Sequence, residues 1–175
     1  MRGVRGTVWA DTPLLWLDTA GQGEGETGGD GGKSISNMGE ALMVVELVEE
    51  LMGAGVEESM VGVISPYWAQ AGLIRSLVWE GAGRAEVEVR TVDGYQGREK
   101  EVIIVSLVRS NSSASVGFLE ESRRLNVAVT RARRMVVLVG DSATLATDPA
   151  IANLLEFCRS QGAVRELQNM SHMLG

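Results

Sequence analysis

Arg131, Arg133 and Arg134 stand directly before an apolar run over 135–140. Gln96, Gly97, Arg98 and Glu99 stand just before another, over 102–108. Both polar segments feed a strand, and both are built from residues that handle phosphate. A guanidinium is always charged and binds two oxygens at once, which suits charge developing on a transferring phosphoryl group. Hydrolysis of a nucleoside triphosphate is mostly positioning and charge stabilisation, and an arginine from a neighbouring lobe can supply part of it. Gln96 offers an amide, Gly97 a backbone N–H free of side-chain bulk, and Glu99 a carboxylate. That set suits a ribose hydroxyl and a phosphate edge. On a helix expected over 121–133, Arg131 and Arg133 would point differently, one toward a phosphate and one bracing the site. A solvated basic turn and an ordinary polar turn are the plainer alternatives. Thr91 and Asp93 could hydrogen-bond a sugar–phosphate backbone, or simply cap a turn.

Composition narrows the classes. The 175 residues fit one domain, and an apolar share of 45% is enough for a core. A net charge of −7 argues against affinity for nucleic acid through general electrostatics, and leaves room for local phosphate contacts on an acidic body. Cys158 is the only cysteine, so no internal disulfide forms, and a reducing compartment is expected. With His172 the only histidine, no His/Cys metal cluster can be built. No apolar run approaches the length of a membrane span, and Asp11 and Pro13 interrupt any leader-like stretch. The expectation is an intracellular protein of cytoplasm or nucleus, without a membrane partner.

Alternating apolar runs and helical periods place these segments. Leu14–Asp18 has the composition of a buried parallel strand. Residues 19–34 are Gly-rich with Glu24, Glu26 and Asp30; nothing there is expected to pack, giving a mobile loop over 19–35. Asn37 and Glu40 have capping-box spacing and open a helix over 38–52, which Gly53 and Gly55 end. A strand over 60–64 leads into Ser65-Pro66-Tyr67, and a helix over 68–80 follows. Further strands are expected at 87–92, 102–108 and 135–140, a last helix from Pro149 to about Arg159, and an edge strand over 162–167. The fold class is α/β, with a mainly parallel sheet flanked by helices in three layers. Residues 1–168 form one domain and 169–175 a tail. Ligands of such sheets sit beyond the carboxyl ends of the strands, where Ser65, Thr91, Ser110 and Asp141 fall.

TGGDGGKS at 27–34 carries half of a phosphate-cradling loop, Gly32-Lys33-Ser34, but Thr27 stands where its first glycine belongs. No strand feeds it directly, so it reads as a flexible acidic insertion.

TVDGYQGREKEVIIVSLVRSN at 91–111 resembles motif V of superfamily 1 helicases, and RRLNVAVTRARR at 123–134 resembles motif VI. ISPYWAQ at 64–70, PLLWLDTAG at 13–21 and SNMGEA at 36–41 are similar to segments of the same branch, superfamily 1B. That branch holds the nonsense-mediated-decay and immunoglobulin-mu-binding-protein helicases. The resemblance covers about residues 13–167 and implies a RecA-like second, C-terminal motor lobe. It implies Arg131 as the arginine finger on the γ-phosphate. Glu99, Gln96, Gly97 and Arg133 would complete a nucleotide edge, with Arg131 expected to point out at the carboxyl edge of the sheet beside Gln96 and held there by Glu99. Ser65, Pro66, Tyr67, Thr91, Asp93, Arg109 and Asn111 would track single-stranded DNA or RNA. The cofactor implied is ATP with Mg, whose metal ligands are expected from a first lobe acting in cis or in trans.

Walker A, the Mg-binding acidic motif and the motif that opens the second lobe are not found in these 175 residues. A fragment, a misplaced gene start or one piece of a split protein is expected, inactive in ATP hydrolysis when alone. The alternative is a non-catalytic RecA-like module that binds nucleic acid or protein.

Overall fold

The structure is a computed structural model that describes residues 13–22, 25–28, 35–117 and 122–166. The Gly32-Lys33-Ser34 segment, Glu24, Asp30, Glu121, His172 and the 169–175 tail lie outside them. Six strands form one sheet: β1 Leu14–Asp18, β2 Val61–Ser65, β3 Glu88–Thr91, β4 Lys100–Ser106, β5 Ala132–Gly140 and β6 Val164–Glu166. Their order is β3-β2-β4-β5-β1-β6, and every pairing is parallel. The sheet is therefore wholly parallel among the described residues.

Among the described residues, five α-helices cover its faces: α1 Met38–Gly53, α2 Trp68–Ser76, α3 Ser122–Val129, α4 Ser142–Leu145 and α5 Pro149–Ser160. Crossovers of one hand put helices that step toward β3 on one face and those that step toward β6 on the other. Side-chain alternation along the strands meets this requirement. Leu15, Leu17, Val63, Ile104 and Val137 pack under α1 and α2, against Val44, Leu47, Val48 and Ile74. Trp16, Ile64, Ile103, Val105 and Leu138 face α3 and α5, against Leu125, Ala128, Ile151 and Leu155. Each such aliphatic side chain contributes about 1.5–3 kcal/mol on burial, which is why the inner strands read as unbroken apolar runs.

Two local features shape the first edge of the sheet. Helix α2 continues through a π turn, Leu77–Gly81, where Ala82 N–H reaches the Leu77 carbonyl at 2.9 Å. From there Trp79 Nε1 donates to the Val87 carbonyl (2.8 Å), and Arg75 Nη2 to the Val89 carbonyl (3.0 Å). The Val89 carbonyl of edge strand β3, and the Val87 carbonyl just before the strand, are thus covered by the preceding helix rather than left open to another chain. On the opposite face, Tyr95 lies across β2 at Gly62, where an added Cβ would collide with Tyr95 Oη.

Candidate functional site

The two polar segments that lead into β4 and β5 meet at the amino edge of the sheet. Lys100 N–H donates to the Arg131 carbonyl at 3.1 Å, joining the starts of β4 and β5. This corrects two expectations. Helix α3 ends at Val129, not Arg133, so Arg131 sits on a turn and Arg133 and Arg134 lie on β5. Both segments precede their strands, so in a parallel sheet they mark the amino edge, not the carboxyl edge. Between Lys100–Val102 and Ala132–Met135 the register shifts by one residue. That bulge leaves Arg133 and Arg134 both exposed before Met135 turns inward.

The side chains divide differently from the expectation as well. Glu99 Oε2 accepts from Arg133 Nε at 3.1 Å, and Arg134 Nε forms an ion pair with Glu101 at 2.7 Å. Arg131 instead turns back on α3, its Nε donating to the Val127 carbonyl (3.1 Å) and Nη2 to Thr130 Oγ1 (3.3 Å). An open groove of about 380 Å³ lies here, between Ser59, Met60, Glu99, Lys100 and Arg133. Gln96 and Gly97 are exposed on the link that leads to Glu99. Gly97 has φ 73, a left-handed conformation that suits glycine. This edge presents guanidinium, amide and carboxylate groups around an open groove. Among the described residues no group of three or more His, Cys, Asp or Glu side chains could hold a metal ion.

The other candidates gather at or near the carboxyl edge. Ser65 Oγ accepts from Tyr67 N–H (3.3 Å), and Thr91 Oγ1 from Gly94 N–H (3.3 Å), so both hydroxyls also shape their own turns. Pro66 and Tyr67 are buried. Arg109 is only 8% exposed; its Nε donates to Glu26 (2.9 Å) and its Nη1 to Tyr67 Oη (3.5 Å). Ser110 N–H and Asn111 Nδ2 converge on the same Glu26 oxygen, at 2.8 and 3.1 Å. The expectation that nothing in the Gly-rich segment packs therefore fails at Glu26. Asp93 receives Arg124 Nη1 at 3.2 Å.

Neither tyrosine presents a ring for stacking, since Tyr67 is 2% and Tyr95 0% exposed. Burial, with Glu88 nearby, pushes the Tyr95 phenol well above its usual range. The exposed aromatic beside this edge is Trp68, at 63%, first residue of α2. Sequence reasoning passed over it because it reads simply as the start of a helix. Glu26 was hidden by the glycines around it.

A family model described as AAA domain matches residues 4–143. DNA polymerase alpha-associated DNA helicase A of Saccharomyces cerevisiae is 44% identical over 157 residues, covering 87% of this chain and 23% of that protein. DNA-binding protein SMUBP-2 of Rattus norvegicus is 42% identical over 163 residues, 93% of this chain and 16% of that protein. The Drosophila melanogaster regulator of nonsense transcripts 1 homolog is 36% identical over 171 residues, 94% of this chain and 14% of its own length. The chain thus spans under a quarter of the length of each of these relatives.

Proposed function

We propose that this chain, which belongs to the AAA domain family, is the second, C-terminal RecA-like motor lobe of an ATP-dependent DNA or RNA helicase. One observation carries the reading: the Lys100–Arg131 backbone bond brings Glu99, Arg131 and Arg133 to one open edge. Relatives named as helicases align with most of the chain and support the helicase part of this reading. No helix among the described residues is long and apolar enough to cross a membrane.

In this reading a first lobe, in cis or in trans, holds ATP and its Mg. That lobe supplies the metal-assisted activation of the phosphates. Arg131 leaves Val127 and Thr130 and reaches across the cleft to the γ-phosphate, where its fixed charge offsets charge developing in the transition state. Arg133 holds Glu99 in place, so that the Glu99 carboxylate, Gln96 and the Gly97 N–H contact ribose and phosphate oxygens.

The carboxyl edge takes a single strand. Thr91, Asp93 and Asn111 contact its backbone, while Ser65, Pro66, Tyr67 and Arg109 fix the shape beneath them. Trp68 supplies the face on which a base stacks, a contact tolerant of sequence. With few phosphate contacts on an acidic body, binding is weak and salt-sensitive. Titration of labelled oligo-dT and oligo-U into the chain at rising salt tests this. Micromolar or weaker binding lost with salt agrees; tight binding that survives high salt overturns it.

A further inference from the structure

Glu40 lies beneath the carboxyl end of β4 and is only 1% exposed. Its Oε2 accepts from Ser106 Oγ (2.7 Å) and from Val108 N–H (2.8 Å). Val108 is a β-branched residue at φ 73, a conformation that persists only where its surroundings over-determine it. Those surroundings are on two sides: Glu40 holds its N–H, and Asn37 Nδ2 holds its carbonyl at 3.2 Å. Gln70 closes the circuit, donating from Nε2 to Ser106 Oγ and to the Asn37 carbonyl, both at 3.0 Å, and accepting Asn37 N–H at 2.8 Å. The first turns of α1 and α2 and the end of β4 are thereby locked together. Tyr67 directly precedes α2, and Arg109 directly follows Val108.

We propose that Glu40 is the positioning residue of the carboxyl edge, holding the left-handed Val108 turn so that buried Arg109 braces Tyr67 and Asn111 is presented for contact with a nucleic-acid strand. This rests on the strand-binding reading of that edge. Glu40 Oε1 is buried with no partner, so a full carboxylate charge there would be poorly compensated. Burial, opposed by the Ser106 and Val108 hydrogen bonds and reinforced by nearby Asp141, raises its pKa to about 8. The groups facing it from β4 and α2 are the neutral Ser106 and Gln70; Asp141, after β5, is the titratable neighbour, and the Arg109–Glu26 pair lies just beyond the turn. Above that pH the buried charge works against the lock.

The test compares wild type with Glu40→Gln and Glu40→Ala, each shown folded by circular dichroism. Affinity for a labelled oligo-dT 15-mer is measured from pH 6.5 to 9.5, with the protection factor of the Val108 amide as a second readout. Wild-type affinity should fall several-fold as pH rises through about 8, and Glu40→Gln should hold a flat profile. Glu40→Ala should bind about ten-fold more weakly and lose Val108 protection. A wild-type profile that superimposes on that of Glu40→Gln, or Glu40→Ala with full affinity and protection, overturns the inference and leaves strand binding standing. If no variant binds the strand, the strand-binding reading and the role built on it both fail, and Val108 protection then reports only whether the lock exists.

Discussion

Glu99 is held by Arg133, 3.1 Å from Oε2 to Nε, while Arg131 caps the Val127 carbonyl one turn back. The arginine proposed to act on a phosphate is thus parked on its own helix, and the carboxylate beside it is already taken. Neither arrangement holds the fold together. The Glu99–Arg133 pair is more than half exposed on both sides, and such pairs contribute about 0–1 kcal/mol. Arg131→Ala and Arg133→Ala should each shift the urea unfolding free energy by less than about 1 kcal/mol. A loss of several kcal/mol would make these residues scaffolding for β5.

Acid–base linkage at Glu40 gives a stability profile with a defined sign. Its folded pKa, about 8, lies above the ordinary 4.5, so the folded state binds the proton more tightly than the unfolded chain. The stability this contributes is complete below about pH 4.5 and is lost as pH rises through 8. Chemical denaturation should register a decline on the order of a few kcal/mol across that window. Glu40→Gln should remove this component of the slope. Equal slopes in the two proteins would mean that Glu40 is ionised in the fold.

Tyr95 Oη is buried without a partner and crowded against Gly62. An unpaired buried hydroxyl costs about 1–3 kcal/mol, so Tyr95→Phe should leave stability unchanged or raise it by about 1 kcal/mol. Gly62→Ala should destabilise by about 1–3 kcal/mol through overpacking. Marked destabilisation by Tyr95→Phe in thermal melts would show that the hydroxyl has a partner.

Trp68→Ala removes an exposed ring, so the fold should be unaffected while single-strand affinity drops by about 1–3 kcal/mol, the worth of one stacked base. Fluorescence anisotropy with oligo-dT reads this directly. Unchanged affinity would remove Trp68 from the strand-binding edge.

Much of the architecture was legible from periodicity. The run Leu14–Asp18 coincides with β1, and Asn37 caps α1 as its spacing implied, Oδ1 accepting Glu40 N–H at 3.0 Å. The capping box closes only halfway, because Gln70 already occupies the Asn37 N–H and the Glu40 carboxylate goes to Ser106 and Val108. That partner lies 66 residues away, and local spacing carries no trace of it. The edge was misjudged for another reason. Polar residues that lead into a parallel strand belong at its amino end, whereas the usual ligand position of such sheets lies at the carboxyl end. The 102–108 run concealed the turn at Val108, since a valine in a left-handed conformation has the same apolar signature as one in a strand.

In the proposed motor, Arg131 serves a nucleotide held by another lobe. Steady-state ATP turnover tests it most directly, measured on the complete two-lobe motor with wild-type Arg131 and with Arg131→Ala, alongside ATP affinity. Turnover should fall by roughly 10³-fold or more while ATP affinity changes far less. Turnover that survives Arg131→Ala would contradict it.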